Sequence, residues 1–149
     1  MKFIVTKELG RLAKWLRILG FDADYFKDDE RRKLIIKSLR DDRIILTRDS
    51  KLSQYTGVKI IHITSDFVDA QLKQLLSENK LELDEGKFFR RCVICNVELD
   101  EVDKSRIESA VPEYVYNTQN FFVKCPNCHR VYWRGTHWDN VLNFTRGFL

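Results

Sequence analysis

Apolar positions recur with two different periods along the N-terminal part of the chain, and the switches between them mark its elements. Lys2 to Thr6 is a short run rich in apolar and β-branched residues, which predicts a buried strand. From Glu8 to Leu19 the spacing becomes three and four. Leu9, Leu12, Ala13, Leu16 and Leu19 then fall on one stripe of an amphipathic helix, and Gly20 follows where helices commonly end. Phe21 to Phe26 alternates apolar and acidic residues, a second strand with Asp22 and Asp24 on one face. Asp28 or Asp29 is placed to cap a helix from Glu30 to Arg40 that turns Leu34, Ile35 and Leu39 inward. Arg43 to Thr47 has an unbroken apolar centre, which predicts a strand covered on both faces. Gly57 interrupts the pattern and Val58 to Ile63 forms another strand. Ser65 or Asp66 then caps a helix through Ser77 that buries Phe67, Leu72, Leu75 and Leu76.

This alternation of strands and helices predicts an α/β layer with a mainly parallel sheet. Right-handed crossovers bring the carboxyl ends of the strands to one edge, where such sheets bind ligands. That edge carries Thr6, Lys7, Glu8, Arg48 and Asp49, with Asp28 and Asp29 within reach. Carboxylates gathered there repel one another unless a cation sits between them. An oxygen-only donor set suits magnesium or manganese, which can clamp a phosphodiester and activate water. A single Asp at a strand end also serves as a turn former or cap, so the pattern allows either role. Arg11, Lys14 and Arg17 lie off the apolar stripe of the first helix. They read either as a solvated face or as a surface that tracks a nucleic acid backbone.

The C-terminal stretch is organised differently. All four cysteines fall in two pairs, Cys92-Val93-Ile94-Cys95 and Cys125-Pro126-Asn127-Cys128. Paired CxxC turns offer the closed four-thiolate cage of a structural zinc, one per chain. Disulfides would suit a secreted chain, but Met1 to Val5 is too short for the apolar part of a signal peptide and reads as a strand. The CxxCH string from Cys125 to His129 would leave Cys92 and Cys95 idle, and a redox CxxC needs one pair only. A segment below about 70 residues usually needs a staple, and metal binding contributes folding free energy directly. Two units are therefore expected: an α/β domain over residues 1–86, and a four-cysteine ribbon with a tail over residues 87–149. Within the ribbon, Glu113–Asn117 and Asn120–Lys124 predict a hairpin, and Val131–Arg134 a third strand. Tyr114, Tyr116, Phe121, Phe122, Tyr132, Trp133 and Trp138 read as cover for the metal site or as platforms for base stacking. His129 and His137 are surface residues on this reading, although His137 beside Arg134 could also meet a phosphate.

Composition adjusts this picture only slightly. A hydrophobic share of 44% with 32% charged residues is ordinary for a soluble globular protein, and no apolar run is long enough for a membrane. The net charge, 26 − 22 = +4, is compatible with a nucleic acid partner. Reduced cysteines without a targeting segment point to the cytoplasm.

Four motifs, in order, then carry a resemblance. The run from Leu9 to Asp22 (Leu-Gly-Arg-Leu-Ala-Lys-Trp-Leu-Arg-Ile-Leu-Gly-Phe-Asp) resembles the opening signature of the Mut7-C family. Arg43-Ile44-Ile45-Leu46-Thr47-Arg48-Asp49 is similar to that family's strand-and-acid motif. The CxxC pairs and the ending from Val131 to Trp138 are similar to its zinc ribbon. The resemblance implies a PIN-like nuclease domain followed by a zinc ribbon, acting as a metal-dependent ribonuclease on RNA (possibly tRNA, rRNA or the ribosome). By position, Asp22, Asp28 or Asp29, and Asp49 fall on the family's acidic pattern, and Arg17 and Arg48 on its basic positions. The family usually carries an Asp at the end of its first strand, where this chain has Thr6. That departure implies an alternative: a catalytically impaired protein that binds RNA or the ribosome, with Glu8 as a partial substitute for the missing acid.

Overall fold

The computed structural model describes residues 1–147. Four short strands, β1 (Lys2–Thr6), β2 (Asp22–Phe26), β3 (Ile44–Thr47) and β4 (Ile60–His62), form an all-parallel sheet in the order β2-β1-β3-β4. Phe3, Ile4, Val5, Ile45 and Leu46 are fully buried, as expected of a parallel sheet covered on both faces. The pleat sends alternate side chains to opposite layers. Phe3, Val5 and Leu46 meet α1 (Gly10–Ile18) and α3 (Val68–Glu78) on one face. Ile4 and Ile45 meet Leu34 of α2 (Arg31–Asp41) on the other. The predicted stripe of the first helix is the buried one: Leu9, Leu12, Ala13, Leu16 and Leu19. Gly20 has φ of +93°, and a Cβ there would lie 2.5 Å from the Lys87 carbonyl, so both conformation and space require glycine.

A second, antiparallel sheet contains β5 (Asp100–Val102), β6 (Phe122–Lys124) and β7 (Val131–Trp133) in that order. The mixed α/β architecture with a small β ribbon is thus the one expected, with four differences in detail. Glu113–Thr118 is a short helix, α4, and not a strand, so the ribbon's hairpin joins β6 to β7 through the second CxxC turn. Pro112 stands just ahead of the first turn of α4, and Val115 is buried together with Ile107, Val111 and Phe122. Thr136–Arg146 forms a further helix, α5, with Trp138, Val141, Leu142 and Thr145 at helical spacing. Leu39, expected inward, is 57% exposed, because α2 buries only a narrow stripe at Leu34 and Ser38. Phe67, expected in the core, is 73% exposed, because α3 begins one residue later at Val68.

Helix α5 returns to α1. Trp15 stacks on Phe144 with ring centroids 4.3 Å apart, and Val141 and Phe88 join the core that fills the space between α1, α3 and the sheet. Trp138 packs against Phe88 and Phe89. The expected aromatic group is therefore divided: Phe122 and Trp133 cover the ribbon's own core, Trp138 faces the other one, and Tyr114 is exposed. Among the described residues no helix is long and apolar enough to cross a membrane. Leu16→Ala should lower the unfolding free energy by about 2–5 kcal/mol, whereas Leu39→Ala should cost under about 0.5 kcal/mol. Urea denaturation followed by tryptophan fluorescence reads both.

Candidate functional site

Strand β1 is the point where the order reverses, since β2 lies on one side of it and β3 on the other. Such a switch opens a crevice at the carboxyl ends of the strands. A cleft of about 190 Å³ lies there, lined by Thr6, Glu8, Asp28, Asp29, Thr47 and Asp49 among others. Glu8 leaves the turn after β1 and turns back between β1 and β3. Its Oε1 accepts the Thr6 hydroxyl at 2.6 Å, the Arg48 backbone N–H at 3.1 Å and the Thr47 hydroxyl at 3.3 Å. Burial opposes ionisation of this carboxyl, but the Thr6 hydroxyl and the Arg48 N–H outweigh it and hold the group below its ordinary value.

The three aspartates of the cleft each have a cation. Asp49 pairs with Arg31 at 2.9 Å, Asp28 with Lys33 at 3.4 Å, and Asp29 with Lys7. Asp49 also caps the short helical turn that follows it by accepting the Lys51 N–H, whereas Asp28 accepts the Glu30 N–H in a turn ahead of α2. Neither Asp28 nor Asp29 caps that helix as expected, because it begins later, at Arg31, behind Glu30. Arg48 is paired with Asp66, and its carbonyl lies 3.0 Å from His62 Nε2. Arg31 lies in no motif of the sequence, and the strand motif that contains Thr47 gives that residue no role. Only the fold brings them to Asp49 and Glu8.

Two residues expected at this edge lie elsewhere. Asp22 opens β2, so it sits at the amino end of the sheet, about 13 Å of strand away from Phe26. There it accepts Arg43 Nη1 and Asn96 Nδ2, both at 2.7 Å. Burial opposes its ionisation, but these two donors hold its carboxyl below the usual range. Arg17, expected on the exposed cationic face, is 8% exposed. Its guanidinium donates to the carbonyls of Ala23, Val93 and Ile94, because the first CxxC turn packs on that side of α1. Arg11 and Lys14 do stand exposed on the helix.

The cysteines do converge. The four Sγ atoms lie within 4.8 Å of one another, and Cys92 and Cys128 are 3.7 Å apart. A zinc tetrahedron with bonds of about 2.3 Å has edges of about 3.8 Å, so the cage fits that ion. Among the described residues this is the group of three or more His, Cys, Asp or Glu whose ligand atoms lie so close. Backbone N–H groups of Cys95, Asn127 and Cys128, and the Asn127 amide, point at the sulfurs, the hydrogen bonding that thiolates require. Burial alone would raise the Cys92 thiol, but the Tyr132 hydroxyl at 3.1 Å and the backbone N–H groups bring it down to about 6. Asn96 and His129, the residues after each pair, adopt left-handed φ of 61° and 65° and turn the chain away from the cage. His129 and His137 are exposed and outside it.

Metal analysis should find about one zinc per chain, and Cys125→Ser should lose it and loosen the ribbon first. Asp22→Asn should lower stability at neutral pH by about 1–3 kcal/mol. Because the folded carboxyl ionises below its ordinary 3.8, this contribution is present above that pH. It is lost as pH falls through the folded value, so denaturation curves of variant and parent should converge in acid.

The family model described as Mut7-C RNAse domain matches residues 1–145. No curated protein and no solved structure matches the chain. That match runs from β1 through the parallel sheet, the cysteine cage and nearly all of α5, so the chain belongs to the Mut7-C RNAse domain family.

Proposed function

We propose that the protein is a divalent-metal-dependent endoribonuclease whose chemistry takes place in the cleft at the carboxyl edge of the parallel sheet. The observation that carries this reading is the meeting of Glu8, Asp28, Asp29 and Asp49 at the switch point of the strands. Glu8 supplies the carboxylate that Thr6 lacks. Three donors engage its Oε1 and orient the group between the ends of β1 and β3, which leaves Oε2 outside those bonds. Thr6 and Thr47 act as positioning residues for it. A magnesium or manganese ion held by these carboxylates would neutralise charge on the phosphoryl oxygens and lower the pKa of an attacking water. Lys7 and Arg31 pair with Asp29 and Asp49 and face the same cleft, where they would meet the substrate phosphate. Asp22 and Arg17 support the scaffold in this account. The zinc cage is structural, and its reduced thiols suit a cytoplasmic protein. Single-stranded stretches of tRNA or rRNA would be suitable substrates.

A second reading is favoured by Thr6 itself. With no charge at the end of β1 and every aspartate of the cleft already paired, the protein would bind RNA without cutting it. Cleavage of a labelled single-stranded RNA with and without manganese decides between the two. On the nuclease reading, Glu8→Gln and Asp49→Asn should each lose activity by about a hundredfold or more, the scale expected for removing one stabilising group from a transition state. Asp22→Asn, at the far end of the sheet, should cut nearly as well as the parent. An inert parent that gains activity in Thr6→Asp would instead establish the binder.

A further inference from the structure

A groove of about 430 Å³ runs between α1 and the first CxxC turn, bordered by Asp24 and Tyr25 of β2. One wall is made by Lys14, Tyr25 and Lys27, the other by Val93 and Ile94. Gly10 lets this wall close up, since a Cβ there would sit 3.1 Å from the Tyr25 hydroxyl. That hydroxyl donates to the Lys7 carbonyl, which ties the groove's upper end to the edge that holds Asp29.

Charge sets this groove apart from the rest of the α/β surface. Six cations in residues 1–49 make no ion pair among the described residues: Lys2, Arg11, Lys14, Arg17, Lys27 and Arg32. Lys14, Arg17 and Lys27 line the groove, and Arg11 lies three residues from Lys14 on the exposed side of the same helix. Arg17 is spent on carbonyls at the base of the groove, yet no carboxylate bonds to it. Asp24, the acid in the lining, is already paired with Lys37 at 2.7 Å. Cys95 of the cage also lies in the lining beside Arg17, so Lys14 and Lys27 are the cations that present unpaired positive charge here, the complement of a polyanionic backbone. Opposite the cations stands Ile94, 59% exposed and held out by a turn that the cage and Arg17 fix. Together with the half-buried ring of Tyr25 it offers apolar surface at the height of the bases.

Resting on the RNA-directed reading above, we propose that this groove is a track for single-stranded RNA. Lys14 and Lys27 hold successive phosphates, Tyr25 and Ile94 lie against bases, and the strand passes Lys27 and Lys7 into the carboxylate cleft. The zinc turn is then half of the RNA-binding surface as well as a structural staple. Duplex RNA keeps its bases stacked inside and has nothing to offer Tyr25 and Ile94.

The test is binding of a short fluorescein-labelled single-stranded RNA to the full zinc-loaded chain, by anisotropy across a salt series without magnesium or manganese. The Lys14→Ala, Lys27→Ala double variant should bind about tenfold more weakly. Its slope of log affinity against log salt should fall by about 1.4, two contacts at about 0.7 each. Ile94→Ser should weaken binding severalfold with the slope unchanged. A double variant that binds like the parent with the same slope overturns the track. So does a parent that binds no RNA, or that binds duplex RNA or polyglutamate as tightly as the single strand. The readout is independent of cleavage. A parent that binds through these lysines but cuts nothing ends the nuclease reading and leaves the track standing. A parent that cuts RNA undisturbed by the double change does the reverse.

Discussion

The burial of one positive charge fixes how the two parts of the chain meet. Arg17 sits under the first CxxC turn with almost no access to water, and taking a guanidinium out of solvent costs several kcal/mol unless its donors are satisfied. The carbonyls that satisfy it come from β2 and from the cage turn, so α1, β2 and the metal-binding segment must be in register for the charge to be tolerated at all. Asn96 reinforces the same junction. Its amide accepts the Ala23 N–H and donates to Asp22, while its own carbonyl accepts Arg91. The four-cysteine cage is thereby bolted to the amino end of the sheet, and the carboxyl end is left clear for ligands.

The parallel sheet was legible because its strands are covered on both faces and so read as continuous apolar runs. The first helix was legible because five residues kept one period. What escaped was decided by partners remote in the chain. Arg17 lies on the polar side of α1 by periodicity, and no helical pattern foretells that another element will pack there. Asp22 and Asp49 look alike as acids beside a strand, yet one begins its strand and the other follows its strand, which sends them to opposite ends of a parallel sheet. The Tyr-Val-Tyr run of α4 resembles an alternating strand. What decides its form is the packing of Val115 with Ile107, Val111 and Phe122, which no local pattern announces. The cysteines were legible because sulfur ligands need a fixed spacing, and Glu8 was not, because its role depends on bending back onto Thr6 and Thr47.

Charge is managed in two ways on one small surface. At the carboxyl edge each of the three aspartates has its own cation, and Glu8 is held by two hydroxyls and a backbone N–H, which offsets the repulsion among carboxylates in one cleft. In the neighbouring groove Lys14 and Lys27 make no ion pair, and the apolar tip of the first CxxC turn lines the same space. A paired cleft beside an unpaired channel gives a polyanion a reason to approach from one side and a place to be held at the other.

The stacking of Trp15 on Phe144 has a consequence for biosynthesis. Helix α1 emerges from the ribosome early and α5 after every other element described here, yet the two share one core. During translation the nascent chain therefore lacks the Phe144 ring against Trp15 until α5 arrives. Of the described helices, the last in chain order closes over the first.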